Sequence, residues 1–269
     1  MLRWADLMES RGEQLAHLLT LENGKPLAHS RGEVAASVSE IRYYAGLTRY
    51  IPGHVFEVEP GAYSTLLKEP AGVAGLIIPW NAPAVLLIRA LTPALCAGCT
   101  VVIKPAPQTA LITAELVKCL HEIAGLPKGV VNLLSEEGHE IAQYLVTSPE
   151  VDVISFTGSN ATGQRIMAAA APTMKKLSLE LGGKSRCGWR ARCAMAQSGS
   201  TTTTSCLPKP RRAAAAAAVL AAFMATRRLT ILSRSSTSIR IAVWCRGGRS
   251  PSIKRPSSPC QFSYALCCR

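Results

Sequence analysis

The amino-acid sequence predicts an α/β fold, a doubly wound parallel sheet with helices on both faces, and two observations indicate it. Between Gly72 and Ser185, short apolar runs alternate with stretches of helical length, which is typical of repeated βαβ units. Polar or glycine-containing segments follow these runs, at the strand ends where open α/β sheets bind ligands. The predicted strands are 73–78, 101–103, 130–134, 151–156 and 176–181, and the predicted helices are 85–96, 109–124, 140–146 and 161–170.

Each predicted strand is short and rich in valine, isoleucine or leucine, as expected for a strand buried on both faces. The first of them, 73–78, lies between Gly72 and Pro79, which are residues that end regular structure. Two helices are predicted before it. Apolar residues at helical spacing run from Leu2 to Leu19, with a turn at 23–26, and a second helix is expected over 33–50.

The charge distribution divides the chain at Ser185. Residues 1–185 carry 15 Lys and Arg against 17 Asp and Glu, whereas residues 186–269 carry 15 Lys and Arg and no acidic residue. The net charge of +13, which alone would indicate a nucleic-acid or membrane binder, therefore belongs to the second part. We expect a folded domain over 1–185 and a basic, low-complexity, largely unstructured tail over 186–269, because its arginines have no carboxylate partners.

Metal-binding, membrane and secreted classes are not favoured. The seven cysteines after Ser185 contain no C-x-x-C pair, and the histidines show no metal-ligand spacing. The longest apolar run of the tail, 213–225, is too short to span a bilayer, and the chain opens without a secretory apolar region. We expect a cytoplasmic protein that binds no metal, no specific nucleic acid and no membrane.

Two polar residues end the first two predicted strands. Asn81 follows Pro79 and Trp80, and its neutral amide can donate a hydrogen bond to a developing oxyanion. Asn and Pro are also common turn residues, so a purely structural turn is equally consistent with this segment. Lys104 ends the next strand, where it can reach a ribose or a phosphate, although a solvated lysine is the alternative.

The last two strands end in a second pair of candidates. Gly158 and Ser159 precede a predicted helix, whose free N–H groups favour a phosphate, while a serine N-cap explains the same residues. Glu180 lies between Leu179 and Leu181 in an apolar strand, where a carboxylate against apolar walls has a raised pKa and can act as a base. An exposed charge at a strand end is the alternative.

Taken together, the order and spacing of these segments resemble the N-terminal and cofactor-binding part of the aldehyde dehydrogenase superfamily, over about residues 4–185. The resemblance implies a Rossmann-like domain, NAD or NADP as cofactor, an aldehyde as substrate and homo-oligomerisation through segments that this chain lacks. Pro107 stands where NAD-preferring members often have a glutamate, so the resemblance implies no choice between the two cofactors.

The resemblance also assigns roles residue by residue. Asn81 would stabilise the oxyanion, and Glu180 would activate the water that hydrolyses the thioester. The implied cofactor-binding residues are Ile77, Ile78, Pro79, Trp80, Lys104, Gly138, Phe156, Thr157, Gly158, Ser159, Leu181 and Gly182.

The nucleophilic cysteine of the family is expected in a Gly-Gln-x-Cys setting after an apolar helix. The stretch 213–226 resembles that helix, but Thr230 then stands in the place of the cysteine. A shifted reading frame or a misassigned exon boundary after Ser185 would produce this pattern. We therefore expect an aldehyde dehydrogenase by descent with little or no activity, and the alternative is a non-catalytic nucleotide-binding remnant.

Overall fold

The computed structural model describes residues 1–182, 220, 222–233 and 239–243. Three helices come first: α1 (Leu2–Ser10), α2 (Gly12–Asn23) and α3 (Leu27–Leu47). The sequence predicted one continuous helix from Leu2 to the turn at 23–26, which is wrong, because Arg11 leaves the helical conformation with φ −98° and ψ 10°. The predicted range 33–50 for the next helix is also shifted, since α3 begins directly after Pro26.

A β-hairpin that the sequence did not predict follows α3. Strand β1 (His54–Glu59) pairs antiparallel with β2 (Ala62–Pro70), and Gly61 turns the chain between them with φ +77°. All six residues of β1 are exposed, so this strand lacks the alternation of apolar and polar residues that marks a half-buried strand.

A five-stranded parallel sheet forms the centre of the domain, as predicted. Its strands lie in the order β5-β4-β3-β6-β7, with four crossover helices between consecutive strands. The strands are β3 (Val73–Ile77), β4 (Thr100–Lys104), β5 (Val131–Leu133), β6 (Val153–Thr157) and β7 (Lys176–Glu180). The helices are α4 (Pro83–Cys96), α5 (Ala110–His121), α6 (Glu140–Thr147) and α7 (Asn160–Ala170).

The crossover helices cover both faces of this sheet, so the doubly wound arrangement is confirmed. On one face, Leu87 and Leu91 of α4 and Leu116 of α5 lie in one apolar core with residues of α1, α2 and α3. On the other face, Leu145 of α6 and Ile166 of α7 lie in a second core against β6. Burial of the strands between two helical layers explains their continuous apolar sequences.

The strand order places a change of direction at the centre of the sheet. The chain runs outward from β3 through β4 to β5, and then returns to the other side of β3 for β6 and β7. Connections that leave neighbouring strands in opposite directions open a crevice at the carboxyl ends of those strands, here β3 and β6.

Two segments beyond Ser185 form strands, β8 (Met224–Ser233) and β9 (Ile239–Val243). They lie in a four-stranded sheet with the hairpin, in the order β1-β2-β8-β9. The sequence predicted no strand here. Most of the predicted tail 186–269, including the greater part of the 213–226 stretch, lies outside the described residues, so its interpretation stays a prediction.

The chain divides into two compact units. One comprises 1–53 and 67–226, and the other comprises 54–66 and 227–269. All residues of the candidate site belong to the first unit, whereas Thr230 belongs to the second. Within the described ranges, no helix is long and apolar enough to cross a membrane, and no group of three metal-ligating side chains comes together.

Candidate functional site

The carboxyl ends of four neighbouring strands meet in one row. Ile77 of β3 pairs in register with Lys104 of β4 on one side and with Phe156 of β6 on the other. Thr157 of β6 pairs with Glu180 of β7. Residues from four separate segments of the sequence therefore lie along one edge of the sheet, where open α/β sheets bind ligands.

The loop after β3 begins in the core and ends in solvent. Ile78 is buried, and its backbone N–H donates to the Lys104 carbonyl oxygen at 3.0 Å. Pro79 is half-buried, while Trp80 is 57% exposed and Asn81 is exposed. Asn81 is thus accessible to solvent, which its predicted role requires. That role stays a prediction.

The turn between α2 and α3 holds this loop by its backbone. Asn23 Nδ2 donates to the Trp80 carbonyl oxygen at 2.5 Å, and Lys25 Nζ donates to the Asn81 carbonyl oxygen at 3.0 Å. Lys25 also forms an ion pair with Glu33. The backbone of the predicted oxyanion donor is therefore fixed by a segment that lies 56 residues earlier in the chain.

Three glutamates cap three of the four crossover helices in the same way. Each carboxylate accepts hydrogen bonds from the backbone N–H groups of the second and third helical residues, which no intrahelical carbonyl can accept. The donor-to-acceptor distances lie between 2.7 and 3.2 Å. Glu33 accepts from Ala84 and Val85 of α4, Glu22 from Leu111 and Ile112 of α5, and Glu136 from Ile141 and Ala142 of α6.

Helix α7 begins differently, with a neutral cap. Ser159 Oγ accepts from the Thr162 backbone N–H at 3.2 Å and lies 2.9 Å from the Thr162 hydroxyl oxygen. Across the described residues, no carboxylate accepts from the first turn of α7. The positive end of this helix dipole is therefore not neutralised, and it lies beside the crevice between β3 and β6.

Gly158 lets an aromatic ring lie directly against the start of α7. A Cβ atom at this position would come within 2.4 Å of Phe156 Cζ, so only glycine permits the observed packing. Phe156 is buried, Thr157 is half-buried, and Ser159 is exposed at the crevice edge. The segment thus presents backbone N–H groups of the α7 N-terminus to the crevice, which is a favourable arrangement for a phosphate.

Lys104 is a buried cation with two partners. Its ammonium lies 3.5 Å from Glu136 Oε1 and 3.4 Å from the Gly138 carbonyl oxygen, and the residue is 6% exposed. Burial alone would raise the pKa of Glu136, but the hydrogen bonds from Ile141 and Ala142 and the nearby ammonium of Lys104 outweigh it and lower the pKa below the ordinary 4.5.

Glu180 ends β7 with its side chain exposed, in the part of the chain that the structure describes. The apolar walls that the sequence predicted around this carboxylate are not seen there. Its carbonyl oxygen accepts from the Gly158 N–H at 3.0 Å, which joins the ends of β6 and β7. Leu181 then packs against Gly163 of α7, where a Cβ atom would lie only 2.6 Å from Leu181 Cδ2.

An apolar cleft of about 570 Å³ lies along α6, and Lys104 is not among the residues that line it. Val102 lines it and lies two residues before Lys104 in β4, so both side chains are on the same face of the sheet. The remaining apolar lining comes chiefly from Val73, Leu134, Ile141, Tyr144 and Leu145. The volume lies within the range of small-molecule pockets.

A dinucleotide fits this set of residues. Lys104 can donate to a ribose hydroxyl, and the backbone N–H groups at the α7 N-terminus can bind a pyrophosphate. Sequence reasoning missed Glu136, the buried partner of Lys104, and Glu33, which holds the turn beside Asn81. Glu136 left a weak signal as a carboxylate four residues before α6, but Glu33 lies 51 residues from the helix that it caps and left none.

Comparison with known proteins gives a consistent result. The aldehyde dehydrogenase family model matches residues 1–198. Over 187 residues the chain is 47% identical to the mitochondrial succinate-semialdehyde dehydrogenase of Arabidopsis thaliana, covering 68% of this chain and 35% of the relative. It is 41% identical to the glutarate-semialdehyde dehydrogenase of Pseudomonas aeruginosa, covering 68% of this chain and 38% of the relative.

Solved structures agree in fold. The NAD-dependent aldehyde dehydrogenase of Sinorhizobium meliloti matches with a TM-score of 0.66 and 38% identity, over 68% of this chain and 37% of that structure. Betaine aldehyde dehydrogenase of Staphylococcus aureus in complex with NAD+ matches with a TM-score of 0.65 and 37% identity, over 68% and 36%. The chain thus spans little more than a third of the length of the proteins that it matches.

Proposed function

Because this chain belongs to the aldehyde dehydrogenase family, we propose that it provides the dinucleotide-binding part of an enzyme that oxidises an aldehyde to a carboxylic acid with NAD(P)+. The reaction consumes water and the oxidised cofactor and yields the acid, the reduced cofactor and a proton. One observation carries this proposal. Lys104, the α7 N-terminus with its neutral Ser159 cap, and Glu180 lie along a single sheet edge, beside a crevice at a change of strand direction.

The binding half of the mechanism follows from this edge. Lys104 would donate to a hydroxyl of the adenosine ribose, while the backbone N–H groups at the start of α7 would bind the pyrophosphate beside Ser159. Trp80 and Ile77 would lie against the adenosine half, and Leu181 and Gly182 would lie beside the nicotinamide. When bound, the nicotinamide supplies the hydride acceptor.

In the chemical steps of the reaction, two side chains would each have a separate role. The exposed Asn81 amide would donate to the oxyanion that forms when a nucleophile adds to the aldehyde carbon, and Lys25 would hold its backbone in place. The Glu180 carboxylate would remove a proton from the water that releases the acid. Both residues lie in the first compact unit.

The nucleophile limits what this chain can do by itself. Thr230 stands in the place where the resemblance implies a cysteine, and it lies within strand β8. Removing a covalent nucleophile can lower turnover by about a millionfold. We therefore propose that the chain binds the cofactor without oxidising aldehydes at an ordinary rate, so a non-catalytic nucleotide-binding remnant is the second candidate function.

Calorimetry on the full chain tests cofactor binding. Titration with NAD+ and NADP+ up to millimolar concentration should give saturable binding to the wild-type chain, and Lys104→Met should weaken it about tenfold or more, because the ribose loses a charged donor. Lys118→Met is the matched control, since the Lys118 side chain is 61% exposed on α5 and should leave binding unchanged. Absence of binding to the wild-type chain would refute the proposal.

Turnover separates the two candidate functions. Formation of reduced cofactor should be followed with an aldehyde panel that includes succinate semialdehyde and glutarate semialdehyde, the substrates in the names of two relatives. Saturable binding without turnover supports the remnant, whereas turnover near 1 s⁻¹ or faster, within the ordinary range of about 1–1000 s⁻¹, supports a working enzyme and contradicts the expected inactivity. A cytoplasmic location stays a prediction from the sequence composition, and homo-oligomerisation stays one that the family resemblance implies.

A further inference from the structure

The ammonium of Lys104 is not available as an unpaired positive charge. Glu136 Oε1 lies 3.5 Å from it, and only 8% of the Lys104 side chain and 11% of the Glu136 side chain are exposed. The Glu136 carboxylate is itself held in place by the N–H groups of Ile141 and Ala142 at the start of α6. The pair is therefore a fixed element of the site, with a net charge of zero.

The residues around this pair add negative charge. Glu137 follows Glu136 in the segment that joins β5 to α6, Glu140 is the first residue of α6, and both are exposed. Of these carboxylates, Glu136 is the one that contacts the Lys104 ammonium, at 3.5 Å. Phosphate carries a charge of about −1.5 to −2 near neutral pH, so a phosphate at Lys104 would meet the like charge of Glu136, which its buried position screens poorly.

A ribose hydroxyl differs from a phosphate because it can both donate and accept a hydrogen bond. A ribose hydroxyl can accept a hydrogen bond from Lys104 and donate one to Glu136, so it satisfies both members of the pair without separating them. A phosphate offers only acceptor oxygens and can bind Lys104 only in competition with Glu136. The geometry therefore distinguishes a ribose with a free 2′-hydroxyl from one with a 2′-phosphate.

We propose that Glu136 is a specificity-determining residue that makes this site bind NAD+ in preference to NADP+. The inference rests on the proposed function, because it takes Lys104 as the ribose-binding residue. It deepens that function by naming the cofactor and the side chain that selects it. The carboxylate comes from the segment after β5, and only the adjacency of β4 and β5 brings it to Lys104.

Two small ligands test this preference without the nicotinamide half of the site. AMP carries a free 2′-hydroxyl, and adenosine 2′,5′-bisphosphate carries a 2′-phosphate. Calorimetry on the full chain should show AMP binding at least about tenfold more tightly than the bisphosphate, as like-charge repulsion at a partly buried site requires. NAD+ and NADP+ should follow the same order.

Glu136→Gln removes the charge and keeps an oxygen that can still accept one N–H bond from α6. We expect it to reduce the preference for AMP to about threefold or less, chiefly by tightening the bisphosphate. Glu137→Gln is the matched control, because it removes an exposed neighbouring charge and should keep most of the preference. Circular dichroism and the thermal midpoint would show whether each variant is folded.

The outcomes separate the two proposals. Binding of both ligands with equal affinity to the wild-type chain, or an unchanged preference in folded Glu136→Gln, would overturn the role of Glu136 and leave cofactor binding intact. If Glu136→Gln does not fold, the wild-type comparison decides by itself. Failure of AMP, NAD+ and NADP+ alike to bind the wild-type chain at millimolar concentration would overturn the proposed function, and this inference with it.

Discussion

The Glu33 carboxylate oxygen Oε1 lies 2.9 Å from the backbone nitrogen of Ala84, 51 residues further along the chain. The other carboxylate oxygen pairs with Lys25, whose ammonium donates to the Asn81 carbonyl oxygen. One buried carboxylate thus links the start of α4, the turn after α2 and the loop that carries the predicted oxyanion donor. This arrangement leads to the first prediction.

Replacing Glu33 by alanine should destabilise the chain by about 2–3 kcal/mol. The substitution removes a helix cap and leaves the Lys25 ammonium without its carboxylate, although only 15% of the Lys25 side chain is exposed. Urea denaturation followed by circular dichroism measures the free energy of unfolding. Glu115→Gln is the control, since its pair with Lys118 is exposed and should contribute no more than about 0.5 kcal/mol. A loss of less than about 0.5 kcal/mol for Glu33→Ala would contradict this interpretation.

Gly163 and Gly32 should respond differently to alanine. Both lie inside helices, where alanine is favoured over glycine by about 0.5–1 kcal/mol, but a Cβ atom at Gly163 would lie 2.6 Å from Leu181 Cδ2, whereas no atom lies within 4 Å at Gly32. We therefore expect Gly32→Ala to stabilise and Gly163→Ala to destabilise by about 1 kcal/mol, as overpacking does. Thermal denaturation of both variants measures the difference, and Leu181→Ala added to Gly163→Ala should restore the gain.

The contribution of Glu136 to stability should depend on pH. Its pKa in the folded chain is lower than the ordinary 4.5 of an unfolded glutamate, so the carboxylate stabilises the fold above that pH, and this stabilisation is lost as the pH falls through the folded-state pKa. The difference in unfolding free energy between the wild-type chain and Glu136→Gln should therefore be constant from about pH 7 to pH 5.5 and shrink below about pH 4.5. Urea denaturation across this range measures it, and a difference that grows as the pH falls would show the opposite sign.

Gly72 should tolerate no side chain. Its φ of +124° is rarely adopted by other residues, and a Cβ atom would lie 2.0 Å from Asp152 Oδ2, which accepts a hydrogen bond from the Val73 N–H. We expect Gly72→Ala to destabilise by about 2 kcal/mol or more, through backbone strain and displacement of Asp152. Gly24→Ala separates the two effects, because Gly24 has φ +76° with no atom within 4 Å, so it should lose only about 1–2 kcal/mol to backbone strain. Equal losses in thermal denaturation would remove the role of Asp152.

The parallel sheet was predictable because a strand buried on both faces leaves a continuous apolar run. The prediction 73–78 corresponds to β3 at Val73–Ile77, and 176–181 corresponds to β7 at Lys176–Glu180. Strand β1 was missed for the converse reason. All of its residues are exposed, so its sequence carries no apolar run and no pattern that burial would impose. Periodicity reports burial rather than strand formation itself.

The helix break at Arg11 shows another limit of local patterns. Apolar spacing continues on both sides of it, so the sequence predicted one helix. In the structure Arg11 ends α1, and its guanidinium contacts the Glu122 carboxylate at 2.6 Å and the Cys119 sulfur at 3.6 Å. These partners lie 111 and 108 residues away, and a local pattern contains no information about them.

The sequence by itself determined which segments end the strands, and hence that Asn81, Lys104, Ser159 and Glu180 belong to one edge of a parallel sheet. Tertiary structure decided how those residues are held and charged. It placed Glu33 under the Asn81 loop and Glu136 beside Lys104, and it left Glu180 exposed in the part of the chain that the structure describes. The physical reason is distance along the chain. Strand and helix patterns arise between neighbouring residues, whereas a cap or an ion pair between remote segments forms only when the strand order brings them together.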